Sequence, residues 1–468
     1  MVDTYEMVVL GGGTGGYSTA LRAAGLGMQV ALVERAKVGG TCLHWGCIPT
    51  KAFLQSAEVA EHAKDAGSYG VKASFEAVEM AAVLEYKKRI VDTNHKGLQA
   101  TLRARGIDVI EGDGRVEPGR RVNVRTSEGT RTLEASRALV LATGSVPRDL
   151  PVEGAATDGN IVVNSDHALY LDRVPSRPIV IGAGAIGVEF STVWNAFGAE
   201  QVTIVEALPG VVPNEDVDTQ KELAKQLGRG GMAIHTSTSV TGVEQGSDGV
   251  RVTVETKKGS EQLEGDLLMV AIGRRPVTAD LGYEEAGVTL DRGYVTVDAY
   301  CRTGPEGIYA VGDILPPATL GLAHSSFQEG FLVAEQAAGL PVTPIDYHGV
   351  PRVTYSHPEV GSVGYNEQEL REQGVAYDKQ IYPFSHNGRA MMMKASGHVK
   401  VLAESDGGRV LGVHIVGPKA TDLIAEGQLI YNWEALPTEV GQFIHAHPTL
   451  SEAVGEAHLA LAGKALHG

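Results

Sequence analysis

The sequence predicts an α/β protein built from two doubly wound βαβ units, followed by a C-terminal α+β domain. Three observations predict it. A strand, a glycine-rich loop, a helix and a second strand open the chain. The same order recurs near residue 180, and after about Asp346 the pattern changes to alternating apolar strands. A glycine loop set between a buried strand and a helix is the mark of a Rossmann-like dinucleotide-binding domain.

In the first unit, Tyr5-Glu6-Met7-Val8-Val9-Leu10 reads as a buried strand running into Gly11-Gly12-Gly13-Thr14-Gly15-Gly16. A helical pattern (Ser18, Ala20, Leu21, Ala23, Ala24) and the strand Gln29-Val30-Ala31-Leu32-Val33-Glu34 follow. Gly11 makes the tight turn, Gly13 lets the backbone approach a pyrophosphate, and Gly16 permits close helix–strand packing. The anion lies on the helix N-terminus, where unpaired N–H groups and the helix dipole favour negative charge. Glu34 ends the second strand, placed to accept from an adenosine ribose.

In the second unit, Pro178-Ile179-Val180-Ile181 leads into Gly182-Ala183-Gly184-Ala185-Ile186-Gly187-Val188-Glu189. A helix and the strand Val202-Thr203-Ile204-Val205-Glu206 complete it. Gly182, Gly184 and Gly187 repeat the three glycine roles. An acid at Glu206 suits the free 2′-hydroxyl of NAD and repels the extra phosphate of NADP. Two complete units imply two different dinucleotides.

A chain of 468 residues is too long for one core. The net charge of −17 argues against nucleic-acid binding, which needs a basic footprint. The acidic surface serves solubility or docks a basic partner module. Three cysteines are too few for a secreted disulfide framework, so a reducing, cytoplasmic setting is expected. The first strand begins almost at once, so no leader is expected. No stretch approaches the roughly 18 uncharged apolar residues of a membrane span.

Two of the cysteines, Cys42 and Cys47, lie in Gly39-Gly40-Thr41-Cys42-Leu43-His44-Trp45-Gly46-Cys47-Ile48-Pro49-Thr50-Lys51, just behind the first nucleotide loop. Thiols so spaced suit a small disulfide that cycles between states, and a dithiol beside a dinucleotide site suggests electrons passing between a cofactor and a thiol substrate. Near the C-terminus, Phe443-Ile444-His445-Ala446-His447-Pro448-Thr449-Leu450-Ser451-Glu452 offers two histidines without a third metal ligand at suitable spacing. His447 with Glu452 suggests a base and its orienting carboxylate. Cys301 reads as a packed, inert thiol, and the run Met391-Met392-Met393 as irregular packing rather than a metal site.

With two such loops and a Cys-x4-Cys behind the first, the chain resembles the FAD-dependent pyridine nucleotide–disulfide oxidoreductases, most of all the branch that oxidises dihydrolipoamide. The resemblance runs from Gly11 to Glu452. It implies FAD and NAD as cofactors and an active disulfide in which Cys42 faces the thiol substrate and Cys47 the flavin. It implies His447 as the base, Glu452 as its partner, and Lys51 near the flavin, paired with Glu189.

Further segments carry over by position. Gly114 resembles the glycine near the adenine end, and Thr143, Gly144 and Ser145 the turn where the chain leaves the FAD domain. Asp313 resembles the ribityl-binding acid, and Ala323 belongs to the segment facing the flavin pyrimidine. Val240 and Gly273 match nicotinamide-nucleotide contacts. The implied domains are 1–148 for FAD, 149–273 for NAD, 274–345 completing the FAD site, and 346–468 as the interface. In the family that last domain dimerises, so a homodimer with shared active sites is expected, with a lipoyl domain as substrate and a basic segment of the complex's E2 core as a possible partner. Departures from the family's usual residues are Thr14, Thr50, the Glu200-Gln201 connection, and His44-Trp45, which bears on how the disulfide loop packs.

The rival readings are another disulfide reductase of the glutathione type, a diaphorase, and a non-enzymatic flavoprotein. Glu206 argues against an NADP-dependent glutathione reductase. The non-enzymatic reading leaves both thiols, His447 and a complete NAD loop without a use.

Overall fold

The computed structural model describes residues 2–247 and 249–467. The chain forms two compact units. The first comprises residues up to Ala52, Leu84–Arg148 and Arg274–Tyr347; the second comprises Phe53–Val83, Asp149–Gly273 and the chain from His348 onward.

In the first unit the strands β1 (Val2–Leu10), β2 (Val30–Glu34), β3 (Asp108–Glu111), β4 (Asp113–Glu117), β5 (Arg121–Thr126) and β6 (Gly129–Leu141) order as β3-β2-β1-β6-β5-β4, with Ile308–Ala310 also on β6. The pairs β2·β3, β1·β2, β1·β6 and β6·Ile308–Ala310 are parallel. The start of β6 instead pairs antiparallel with β5. The ends of β1 and β6 are apolar throughout (Met7–Leu10 and Ala138–Leu141, all buried), as strands covered on both faces require. The helix α1 (Thr14–Gly25) crosses between β1 and β2. The short helix α2 (Gly40–His44) and the first turn of α3 (Cys47–Asp65) carry the two cysteines. From Phe53 α3 belongs to the second unit, and from Leu84 α4 (Met80–Ala104) belongs to this one.

In the second unit a parallel sheet has the order Ala233–His235, Thr203–Val205, Pro178–Ile181, Leu267–Val270, Val162–Asn164. An antiparallel three-stranded sheet (Ser239–Gln245, Val250–Thr256, Gly259–Gly265) lies beside it in sequence. The C-terminal part is an antiparallel five-stranded sheet, ordered Arg352–Thr354, Glu359–Gly364, Val410–Gly417, His398–Glu404, Tyr377–Pro383. His398–Glu404 and Val410–Gly417 are strands as the sequence predicts, and they pair directly. Every residue of both except Glu404 is buried, however, so they are covered on both faces rather than on alternate residues.

A buried ion cluster ties the parallel-sheet part of this unit to its antiparallel part. Lys400 is fully buried, and its Nζ donates to Asp216 at 2.6 Å, to Asp218 at 2.7 Å and to Glu367. Asp216 caps the helix Val217–Arg229, so the ammonium is anchored where the chain turns. Asp216, Asp218 and Glu367 group closely enough to suggest a cation site, but the lysine itself fills that role. Lys400→Met is expected to lower the unfolding free energy by about 3–5 kcal/mol, because the fully buried Asp216 loses its counter-ion, whereas Glu367 keeps Lys379 and Arg371. Urea denaturation checks this, and an unchanged midpoint would mean that the carboxylates find protons or water instead.

Cys301 is buried as expected, and burial pushes its thiol well up. Met391 and Met392 correct the expectation of packed sulfur: both are exposed, because the helix Gly388–Met392 buries only Ala390.

Candidate redox site and dinucleotide loops

Both glycine loops follow one steric plan. Gly11 takes φ +108°, and a side chain there would lie 2.1 Å from the Ala142 carbonyl oxygen. A Cβ on Gly16 would fall 1.8 Å from the Gly11 carbonyl oxygen. In the second loop Gly182 takes φ +101°, and a Cβ on Gly187 would fall 1.9 Å from the Gly182 carbonyl oxygen. The first glycine turns the chain, and the third presses the helix onto that turn. Gly13 and Gly184 are the N-cap residues of α1 and of the helix Ala185–Phe197, and neither helix has a side-chain cap or an acid in its first turn. Two helix N-termini that keep their N–H groups free of protein anions fit two pyrophosphates.

Glu34 and Glu206 also repeat each other. Glu34 accepts from Gly12 N at 2.7 Å and Ala36 N at 2.8 Å. Glu206 accepts from Ala183 N at 2.7 Å and Leu208 N at 2.8 Å. Each carboxylate therefore braces its own glycine loop, and lone pairs remain for ribose hydroxyls.

The rest of the first loop's surroundings gather around the ends of β1 and β6. Gly114 lies in β4, where a Cβ would meet Leu10 Cδ1 at 2.5 Å. Thr143 donates from Oγ1 to the Val277 carbonyl at 2.6 Å and bonds the Tyr283 hydroxyl. Gly144 follows at φ +71°. Ser145 donates to Asp313 at 2.5 Å. Arg274, which the sequence reading passed over, donates to Ser145 Oγ and to the Ser145 carbonyl, each at 2.8 Å. Burial pushes the Asp313 carboxyl up, opposed by Ser145 and Arg274. Glu329 is a second missed residue: it is buried, accepts from Gly312 N at 2.6 Å and so positions the peptide before Asp313. Burial pushes its pKa up to about 7. Ala323 opens the helix Ala323–Ala337, so its N–H lies at the positive end of a helix dipole.

Cys42 sits within α2, and Cys47 is the first residue of α3. Neither is disulfide-bonded here, and both are partly buried. The hydrogen bond to Cys47, together with burial, pushes the Cys42 thiol well up; the Lys51 ammonium works in the opposite sense. A negative charge developing on Cys47 would lie at the N-terminus of the α3 dipole.

In the second unit Glu189 is buried and accepts from Tyr355 N at 3.0 Å. Val240 lies in the strand Ser239–Gln245, and Gly273 takes φ +104° just beyond Leu267–Val270. His447 Nδ1 is 2.8 Å from Glu452 Oε1, while Glu452 Oε2 accepts from Thr449 N at 2.8 Å. An ionised carboxylate only accepts, so the His447 proton sits on Nδ1 and Nε2 is left as the basic nitrogen. Burial works against ionising Glu452, but Thr449 N–H and His447 outweigh it and leave its pKa lowered. The His447 side chain is 81 % exposed.

A second pair stands beside this one. His445 Nε2 is 2.6 Å from Glu426 Oε1, and this bond raises the histidine pKa above its ordinary 6.5. Its stabilising contribution is therefore complete below that value and is lost as pH rises through the raised pKa. The melting-temperature deficit of His445→Gln is expected to shrink toward alkaline pH. A deficit that stays constant with pH would mean that the pair acts without charge.

Residues 5–330 match the family model described as pyridine nucleotide-disulphide oxidoreductase, and residues 350–458 match that family's dimerisation domain. The chain belongs to the pyridine nucleotide-disulphide oxidoreductases. It is 38% identical to a dihydrolipoyl dehydrogenase of Bacillus subtilis, with all of both chains covered. It is also 38% identical to a leghemoglobin reductase of Glycine max, over 98% of this chain and 88% of that one. Among solved structures it is similar to LpdA of Mycobacterium tuberculosis (TM-score 0.89, 30% identity, 98% and 99% covered). It is also similar to the flavoprotein disulfide reductase RclA of Escherichia coli (TM-score 0.85, 26% identity, 98% and 100% covered). As a member of this oxidoreductase family the chain is an enzyme whose cofactors are FAD and NAD, and the two uncapped glycine loops fit both. Among the described residues no helix is long and apolar enough to cross a membrane.

Proposed function

We propose that this enzyme is a dihydrolipoamide dehydrogenase, oxidising the dihydrolipoamide of a lipoyl domain through Cys42 and Cys47 and reducing NAD. The observation that carries the reading is that one chain holds both a dithiol on α2 and α3 and a His447–Glu452 dyad, and is similar over its whole length to dihydrolipoyl dehydrogenases. In the oxidised enzyme Cys42 and Cys47 are disulfide-bonded. His447 Nε2 takes a proton from one substrate thiol, and Glu452 holds the ring in that tautomer. The thiolate attacks Cys42 Sγ; the Cys42–Cys47 bond breaks and Cys47 leaves as a thiolate. The second substrate thiol attacks the substrate sulfur of the mixed disulfide and closes lipoamide, and its proton leaves with Cys42 as the thiol. Two electrons and two protons have then passed from substrate to His447, Cys42 and Cys47. FAD, when bound, carries the electron pair onward to NAD.

His447 is exposed beside Phe443 (65%) and Ile444 (100%). Apolar residues so placed favour a homodimer in which His447 and Glu452 serve the partner's disulfide. The domain assignments 1–148, 149–273, 274–345 and 346–468, and the roles of Lys51, Glu189, Val240, Gly273 and Ala323 toward the cofactors, belong to this reading. So does docking of the acidic surface to a basic E2 segment, which is expected to weaken with salt. The test is NADH formation by the purified protein from dihydrolipoamide, with NAD and, separately, NADP. Turnover with NAD and little with NADP is expected; NAD reduction by a different dithiol only would overturn the substrate.

A further inference from the structure

The family reading leaves the unusual His44 between the two cysteines without a role, and the structure places it in a specific arrangement. His44 Nε2 lies 3.0 Å from the Val38 carbonyl oxygen, and His95 Nδ1, from α4, lies 3.1 Å from the same oxygen. A carbonyl only accepts, and its two lone pairs can take two donors. The proton therefore sits on Nε2 of His44 and on Nδ1 of His95. The rings meet edge to face, with centroids 4.9 Å apart, and His44 is buried.

Val38 stands immediately before the two left-handed glycines, Gly39 (φ +107°) and Gly40 (φ +57°), that start α2. From the other side Gly39 N donates to the Gly12 carbonyl at 2.7 Å, and a Cβ on Gly40 would lie 2.6 Å from Gly13 Cα. The peptide at Val38 is thus held between the first nucleotide loop and two imidazoles. His44 is the last residue of α2, a helix too short to hold itself and without a side-chain cap. Its bond back to Val38, which precedes the helix, closes α2 on itself and constrains Cys42 within it.

We propose that His44 and His95, acting through the Val38 carbonyl they share, are positioning residues that set the geometry and reactivity of the Cys42–Cys47 pair. The proposal rests on the dithiol reading above. The charged and titratable groups around His44 are His95, Lys37 and Asp92. Burial, His95 and Lys37 disfavour an imidazolium at His44 and outweigh the Val38 bond and Asp92, which favour one. Disulfide closure tolerates little error in sulfur–sulfur placement, so a loosened α2 changes thiol reactivity without touching either thiol.

The test uses the FAD-bound full chain, reduced with dithiothreitol and alkylated with iodoacetamide across pH, with the rate at Cys42 read by peptide mass spectrometry. His44→Leu and His95→Leu each remove one donor; His44→Gln and His95→Asn return an amide N–H near the lost position. Each leucine variant is expected to change the Cys42 alkylation rate by about three- to tenfold, the worth of an ordinary hydrogen bond, and to displace its pH profile. The amide variants should return toward wild type, and the double leucine variant should be non-additive because the acceptor is shared. If His44→Leu does not fold or hold FAD, His95→Leu on α4 carries the test. Unchanged Cys42 profiles in the leucine variants, or a loss of melting temperature with no profile change, would overturn the proposal. The alkylation readout needs no dihydrolipoamide, so failure of the substrate assignment would leave it standing.

Discussion

Cys47→Ser is expected to lower dihydrolipoamide-driven NAD reduction by at least about 1,000-fold, because without Cys47 no disulfide forms for the substrate thiolate to attack. The serine oxygen neither forms the disulfide nor leaves as a stable anion at neutral pH, whereas a thiolate does both. Cys42→Ser should cost as much, since the two sulfurs act as one unit. The two variants separate in their residual chemistry. With Cys47→Ser, Cys42 can still open lipoamide to a mixed disulfide; with Cys42→Ser, α2 presents no sulfur to it. Mass spectrometry after alkylation reads the adduct. An adduct on Cys47 but not on Cys42 would exchange the two roles, and persistent turnover in either variant would remove the dithiol from the reaction.

His447→Gln is expected to lower the same turnover by about 100- to 10,000-fold, the usual worth of a positioned general base. Glutamine keeps the bulk and one hydrogen bond to Glu452 but cannot accept the substrate proton. Glu452→Gln should cost less: Thr449 N–H still finds an acceptor, while the carboxylate that orients the imidazole and stabilises its charged form is gone. The pH dependence follows from the lowered pKa of Glu452. Its stabilising charge is present above the ordinary value of 4.5 and is lost only as pH falls through the lowered one. An acid limb in the wild-type rate profile above that range therefore does not belong to Glu452. A Glu452→Gln profile that drops in height is the expected result. A His447→Gln enzyme with near wild-type turnover would move the base elsewhere.

Much of this protein was written locally. The glycine loops at Gly11–Gly16 and Gly182–Gly187, the acids that end the next strands, and the strands His398–Glu404 and Val410–Gly417 follow from patterns within about 30 residues. Such patterns are legible because a tight turn excludes a Cβ, a helix N-terminus attracts an anion and buried strands draw on short, β-branched-rich apolar runs. The dithiol and the His447–Glu452 dyad were legible for the same reason: their partners lie five residues apart. Burial was less legible, since Met391 and Met392 share the composition of a core run but ride on a helix that buries only Ala390. What only the tertiary structure decided joins residues far apart in the chain. Lys400 meets Asp216 across 184 positions, Ser145 meets Asp313 across 168, and His95 reaches Val38 across 57. No local periodicity encodes those meetings. They exist because packing leaves a buried ammonium, carboxylate or carbonyl without water, and each must find its counter-group within the protein.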